Sequence, residues 1–472
     1  MRNHASWLFL VIVMFYAAMA FAGGPGTVGA AAGGSRPAYG VDGKPFTWNP
    51  ANLPISYRVD PGPMSASSGG TVVIDHNAGI LRVQNMFSVW QGLSTATLSF
   101  TNAGALLPAG SYTSGDLTTA QQFNDMMGSC AARKQNPVIF DANGKLITSL
   151  GLPREVIGFN SGCAVDAATG FLTNSAIVMN GAFQDGVNNQ TNLELSASAF
   201  DEAITHEIGH FIGLDHSQIN LDLLLSTTTA DSCDIDRLAG LPLMFPFSFC
   251  QARKDEGLPV LSTDEAAWVS SLYPNASTPD NYGVISGVIY FWDRVTPVQG
   301  VNVIAREVDD PNTPEDESRR VAVSCISGYL FTGNPGQSVT ASIPSAFENN
   351  TNGNKSGSRN PALIGYYQIT VPPGVYTVEV ESVFDQFTGG SSVGPLDPPI
   401  PIPGQPEFWD KNESNVDYPR QRDTITVHAG DTIENINIIL NAPFPRFDQF
   451  EDDTVLLDAP LVFRIHPQGA RS

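Results

Sequence analysis

His206-Glu207-Ile208-Gly209-His210-Phe211-Ile212-Gly213-Leu214-Asp215-His216 is the stretch of this 472-residue chain on which its reading turns. His206 and His210 are four residues apart, so on a helix they project from one face, with Glu207 beside them on the same turn. Gly213 can take positive φ without a Cβ penalty; it can end the helix and turn the chain back, bringing His216 to the pair. Three neutral imidazoles leave the fourth position of a tetrahedral Zn²⁺ open to water, as catalytic zinc requires, and the adjacent carboxylate is placed to act as a base. A bare HExxH can arise by accident on a surface helix. With 44 glycines and 7 histidines in the chain, chance supplies the added Gly and His at these offsets only about once in 700 trials.

The helix carrying these residues is expected to start near Ser196 or Ser198, and Ser198 with Asp201 three residues later approximates a capping box. Phe200, Ile204, Ile208 and Phe211 form its apolar stripe. Glu207 falls beside that stripe and His206 and His210 on its shoulder, which places the metal at the edge of the core, lining a cleft.

The pattern HExxHxxGxxH resembles the zinc-binding signature of the metzincin peptidases, which also carry a methionine turn beneath the metal. Leu243-Met244-Phe245-Pro246 fits that turn, with Met244 packing under the imidazoles. Ser217, directly after the third His, is similar to the matrixin branch. So is the stretch opened by Leu261-Ser262-Thr263-Asp264-Glu265 and closed by Ser271-Leu272-Tyr273-Pro274. The resemblance covers roughly Pro45 to Pro274. It implies an α+β catalytic domain with a mixed twisted sheet and long helices, a catalytic zinc held by His206, His210 and His216, and Glu207 as general base.

Three departures from the family pattern bear on function. Matrix metalloproteinases of animals bind a structural zinc through further histidines, whereas the others here are His4, His76, His428 and His466; no structural zinc is expected. The propeptide cysteine switch has no counterpart. The Tyr that often follows the Met-turn Pro by two positions is Ser248, which leaves the specificity pocket undefined.

The whole chain is long enough for two or three cores. Arg2 and His4 precede an apolar run from Trp7 to Met19, and Ala20-Phe21-Ala22 supplies a small-x-small cleavage pattern. Residues 1–22 therefore read as a secretory signal, with an exported, extracellular mature chain and no membrane span; the alternative is an uncleaved anchor, for which the apolar run is somewhat short. A net charge of −23 argues against nucleic acid as a partner. Asp and Asn are plentiful in loops, so bound Ca²⁺ is compatible with the sequence; Asp141-Ala142-Asn143-Gly144 is one fragment to consider, with a simple Asx turn as the better reading. Five cysteines in an exported chain point to disulfides with one left over. Cys130 with Cys163 and Cys233 with Cys250 are the favoured pairings. The second would steady the floor of the site by about 3 kcal/mol, leaving Cys325 unpaired.

Along the chain, 23–44 is rich in Gly and Ala without apolar periodicity and reads as a flexible leader or short pro-segment. The peptidase-like domain spans 45–276. Within it we expect a strand at Leu53–Val59, a helix over Ile80–Leu93 with Val83, Met86, Phe87 and Trp90 on its apolar face, and strands at Pro137–Asp141, Val156–Asn160 and Ala176–Asn180. Val156–Asn160 is the candidate edge along which a peptide substrate adds itself as a strand. After a polar linker, short strands at Ile285–Tyr290, Pro297–Val303, Gly365–Val380 and Ile433–Leu440 mark an all-β sandwich over 283–442. Its Gly-Tyr and Pro-Gly-x-Tyr elements resemble the carboxypeptidase-regulatory-like, transthyretin-type fold, which implies a spacer or a binder of carbohydrate or protein. Pro311–Ser318, Gln337–Pro361 and Asp385–Asn415 are polar insertions expected to be mobile, and 443–472 is a tail. The functional expectation is an exported zinc metalloendopeptidase acting on protein or peptide. The alternative is a surface or matrix interaction protein with a vestigial metal site.

Overall fold

The structure is a computed structural model that describes residues 13–14, 24–32, 37–133, 135–188, 194–217, 219–220, 235–248, 252–331, 357–358, 360–383 and 407–442. It is a mixed α/β protein with several sheets and modest helix content. The N-terminal region holds a six-stranded sheet. Its strands are β1 (Thr47–Trp48), β2 (Ile55–Val59), β3 (Phe100–Ala105), β4 (Pro137–Asp141), β5 (Gly158–Val165) and β6 (Phe171–Asn180). The order is β1-β6-β4-β2-β3, all parallel, with β5 antiparallel on the far side of β6.

Both faces of this sheet are covered, as a largely parallel sheet requires. Val138, Phe140, Ile177 and Met179 point to one core, shared with α1 (His76–Gln91) and α3 (Ala197–Phe211). The alternate residues Ile139 and Val178, with Phe159 of β5, point to a second core against α2 (Ala120–Arg133) through Phe123 and Met126. α1 buries Val83, Phe87 and Trp90 and is capped by Asp75, whose side chain accepts from the Ala78 amide at 2.9 Å. β5 starts two residues later than the expected Val156–Asn160 and runs on to Val165, and β6 begins before the expected Ala176–Asn180. β3 and α2 were not foreseen; Phe-Thr-Asn-Ala-Gly-Ala is too polar to read as a strand.

The C-terminal region has two sheets. In one, β7 (Gly283–Tyr290) pairs antiparallel with β10 (Tyr366–Val371) and parallel with Thr432–Ile433 and Ile438–Ile439. In the other, β8 (Asn302–Glu307) lies between β9 (Ala322–Ile326) and β11 (Gly374–Glu381), with Glu407–Phe408 and Ile425–Val427 also on β11. The strand expected at Pro297–Val303 starts instead at Asn302. Cys325 on β9 is free and buried. The expected Cys130–Cys163 and Cys233–Cys250 pairings lie outside the described side chains, as does the tail 443–472. Most of the expected insertions at Gln337–Pro361 and Asp385–Asn415 are also outside the described residues. Pro311–Ser318 is anchored rather than loose at its end, where the Ser318 carbonyl accepts from Arg306.

The two regions share one apolar core. α4 (Thr263–Leu272) buries Trp268 among residues of both, stacked edge-on against Tyr329. β9 is an edge strand whose outward groups at Ser324 need partners, and α4 supplies them. The Ser324 amide donates to Asp264 Oδ1 at 2.9 Å, and Trp268 Nε1 donates to the Ser324 carbonyl at 2.8 Å. Burial pushes the Asp264 carboxyl well above the ordinary value, with Glu265 adding to the rise.

The segment 23–44, expected to be a flexible leader, is instead built into the fold where it is described. Pro25 bridges Leu214, and Val28, Gly29 and Ala30 bridge Pro45, Asp42 and Tyr39. Val28 and Ala30 are fully buried. Its bonds run through the backbone, so the Gly/Ala composition carries no periodic trace of it. Val13–Met14, inside the expected signal segment, pair antiparallel with Phe247–Ser248. Among the described residues no helix is long and apolar enough to cross a membrane.

Because Trp268 joins the two regions through packing and one hydrogen bond, Trp268→Ala is expected to lower the free energy of unfolding by about 3–5 kcal/mol in urea titrations. A loss below about 1 kcal/mol would show that the shared core is not a stabilising one.

Candidate metal centre

α3 begins at its N-cap Ser196, whose hydroxyl accepts from the Ala199 amide at 3.1 Å. The cap is thus Ser196 and not the Ser198–Asp201 box; Asp201 is engaged by Arg82 at 2.6 Å instead. Phe200, Ile204, Ile208 and Phe211 are fully buried, as the helical stripe requires. The helix ends as expected at Gly213, with φ of 93°. Its last carbonyls are not left orphaned. Trp48 Nε1 donates to Phe211 O at 2.8 Å, and the Tyr273 hydroxyl donates to Ile212 O at 2.5 Å while accepting from the Trp48 amide at 3.1 Å. The turn beyond is gripped by the N-terminal segment. Gly26 N donates to Gly213 O at 2.8 Å, and Asp215 N donates to Gly24 O at 2.9 Å.

This turn brings His206, His210 and His216 together. Their three Nε2 atoms form a triangle with 3.1 Å on every side. His206 Nδ1 lies 2.8 Å from Leu243 O, and His210 Nδ1 lies 2.9 Å from Leu214 O. A carbonyl can only accept, so these nitrogens carry the protons and the Nε2 atoms of both rings present lone pairs. The triangle cannot satisfy itself by hydrogen bonding, since two of its three corners are acceptors only. A cation at its centre does satisfy it, and the group could hold a metal ion. Tetrahedral donors at ~2.0–2.1 Å from Zn²⁺ stand about 3.3 Å apart, close to the observed spacing.

Electrostatics favour the same state. Burial, and then the neighbouring His210, hold the His206 pKa well below the ordinary imidazole value. Burial and both neighbouring rings do the same for His216. Burial brings His210 down to about 4 against the opposing pull of Leu214 O. The rings are therefore neutral ligands at physiological pH. Glu207 is fully buried, burial raises its pKa well above the ordinary carboxyl value, and neither of its oxygens has a hydrogen-bond partner in the protein. A Cβ placed on Gly158, at the start of β5, would sit 3.1 Å from Glu207 Cγ, so the first residue of the edge strand borders this carboxyl.

Met244 packs against α3. Its sulfur is so close to α3 that a Cβ on Gly209 would meet it at 2.4 Å. The turn is held at both ends. Met244 N donates to Glu265 Oε1 and Ser217 N donates to Met244 O, each at 2.8 Å. Glu265 is also the capping-box residue of α4, with Oε2 accepting from Ser262 N at 2.7 Å. Arg253, nearly fully buried, binds the carbonyls of Leu238 (2.8 Å), Leu241 (2.6 Å) and Pro259 (2.8 Å), fixing the approach to the turn. The Ser-Thr-Asp-Glu spelling announces the cap in sequence. Nothing there announces the second role of Glu265, or the roles of Arg253, Trp48 and Tyr273, because these partners are distant along the chain.

The Asp141-Ala142-Asn143-Gly144 fragment spends its carboxylate on backbone amides. Asp141 Oδ2 accepts from Ile147 N at 2.8 Å, and burial lifts its pKa to about 6. No family model, curated protein or solved structure matches the chain.

Gly209→Ala would place a methyl group against both Met244 Sδ and the Trp90 ring. Overpacking of this kind costs about 1–3 kcal/mol. Differential scanning fluorimetry should show a lower Tm, and dialysis against a chelator should strip metal faster than from the wild type. Unchanged values for both would mean that Met244 does not bear on α3 as described.

Proposed function

We propose that this chain is an exported zinc metalloendopeptidase of metzincin, matrixin-like type, with a transthyretin-type β-sandwich following the catalytic domain. The observation that carries the reading is Glu207: a buried carboxyl with no protein partner, on the same helical turn as two of three converging imidazoles. Burying such a group is costly. A structural role would give it a donor; a carboxyl left without one beside three converging imidazoles is instead available to take up and release a proton.

His206, His210 and His216 would hold the ion. Bound there, Zn²⁺ would supply Lewis acidity, which favours attack of water on a peptide carbonyl. Glu207 accepts the proton of the attacking water and delivers it to the leaving amine, so no covalent intermediate with the protein is needed. Burial raises the proton affinity of Glu207 and thereby suits it to both halves of this transfer. Leu243 O and Leu214 O orient two of the rings. Met244 supports the rings and touches no substrate. An extended substrate adds to the outer edge of β5, which pairs only with β6 among the described residues and starts at the wall of the Glu207 site. The signal reading of 1–22 and the cleavage after Ala22 belong to the same proposal. The vestigial-site alternative is disfavoured because a decayed centre has no reason to keep an unpartnered buried carboxyl.

Glu207→Gln keeps the shape of the side chain and removes the base. It should leave zinc stoichiometric while turnover of a peptide library falls below about 1% of wild type. Hydrolysis above that level would sink the general-base role. His216→Ala leaves only two protein donors and should reduce zinc content measured on the purified protein. Undiminished affinity would place the third ligand elsewhere.

A further inference from the structure

We propose that the C-terminal two-sheet region is a working part of the metal centre, and that Asn220 and Arg306 are the positioning residues through which it acts. The proposal rests on the reading of His206, His210 and His216 as metal ligands. It departs from the view of this region as a spacer or a recruiter of substrate.

The loop that follows the third imidazole is docked on the C-terminal region rather than on its own. Ile219 is nearly fully buried in a cluster with Ile304 of β8 and Ala322 of β9. Asn220 holds a left-handed backbone, φ 61°, a conformation that Asn tolerates better than most residues. Its carboxamide joins three pieces of chain. Nδ2 donates to Gly240 O at 2.5 Å and to Arg319 O at 3.2 Å, and Oδ1 accepts from Arg306 Nη1. Arg306, on β8, is held in turn by Glu379 and Glu381 of β11. Its guanidinium is therefore fixed by the sheet and presented to the loop.

Gly240 immediately precedes Leu241-Pro242-Leu243-Met244. Asn220 thus ties the loop beyond His216 to the turn whose Leu243 carbonyl orients His206. Two of the three ligands depend on segments that meet at one carboxamide, and that carboxamide is set by an arginine of the C-terminal region. The contacts at Ser324 and the bond from Thr263 Oγ1 to Arg320 O, 3.2 Å, hold α4 and its Glu265 from the same side. Groups that orient metal ligands from outside typically change affinity by about 10–100-fold when removed.

The test uses the full-length chain. Asn220→Gly keeps the left-handed backbone accessible and deletes the carboxamide. The double variant R306Q/E379Q removes the reach to Asn220 together with the more buried of the two carboxylates that hold Arg306, leaving only the partly exposed Glu381. In competition titrations with a zinc chelator, both are expected to bind Zn²⁺ about 10–100-fold more weakly than wild type. With the site saturated by Co²⁺, the visible absorption of a four-coordinate centre should weaken as one imidazole disengages. Val295→Ser, on an exposed loop of the same region, is the control and should change neither readout. Should Asn220→Gly fail to fold, R306Q/E379Q decides. Folded variants with Zn²⁺ affinity within twofold of wild type and an unaltered Co²⁺ spectrum overturn the positioning role. A wild-type chain that binds no Zn²⁺ overturns the metal reading itself, a distinguishable outcome.

Discussion

Three imidazole nitrogens facing one another at 3.1 Å is the constraint to which the rest of the protein answers. Two of them are fixed as lone pairs by carbonyls behind the rings, and burial keeps all three rings neutral. Such an arrangement is repulsive on its own and favourable around a cation. It persists only if the surrounding chain leaves the rings no alternative position, and most of the buried polar bonding near the site serves that end.

The supports come from far apart in sequence. Trp48 and Tyr273 close the end of α3, Glu265 and Arg253 hold the methionine turn, and the Gly24–Gly26 backbone grips the turn before His216. Several are buried charged or polar groups, which would be costly alone and are here fully engaged with backbone donors or acceptors. Glu207 is the exception among them. Both of its carboxyl oxygens are buried without a hydrogen-bond partner in the protein, a local cost of the kind that collects at functional sites.

The helix bearing His206 and His210, the turn at Gly213 and the turn at Met244 were legible, because each depends on a local signal: apolar residues and histidines at helical spacing, a residue free to take positive φ, and a Met-aromatic-Pro spelling. Strands with strong apolar patterns, such as Ile55–Val59 and Tyr366–Val371, were legible for the same reason. The Gly/Ala segment at 24–32 was not, since its bonds are made by backbone and its small residues leave no pattern. Phe100–Ala105 was hidden by polar residues, and the helix start stayed open between Ser196 and Ser198 because either serine precedes an acceptable first turn; Ser196 is the cap. The docking of the loop beyond His216 on the C-terminal region was also out of reach. Asn220, Arg306 and Ser324 are ordinary residues until the fold places them at one junction.

X-ray absorption at the zinc edge of the purified, zinc-loaded full-length chain tests the central claim most directly. The account predicts one zinc per chain with three imidazole nitrogens at ~2.0–2.1 Å and one oxygen completing the first shell. Fewer than three imidazoles, a thiolate in the shell, or a fourth protein ligand closing the open position would contradict it.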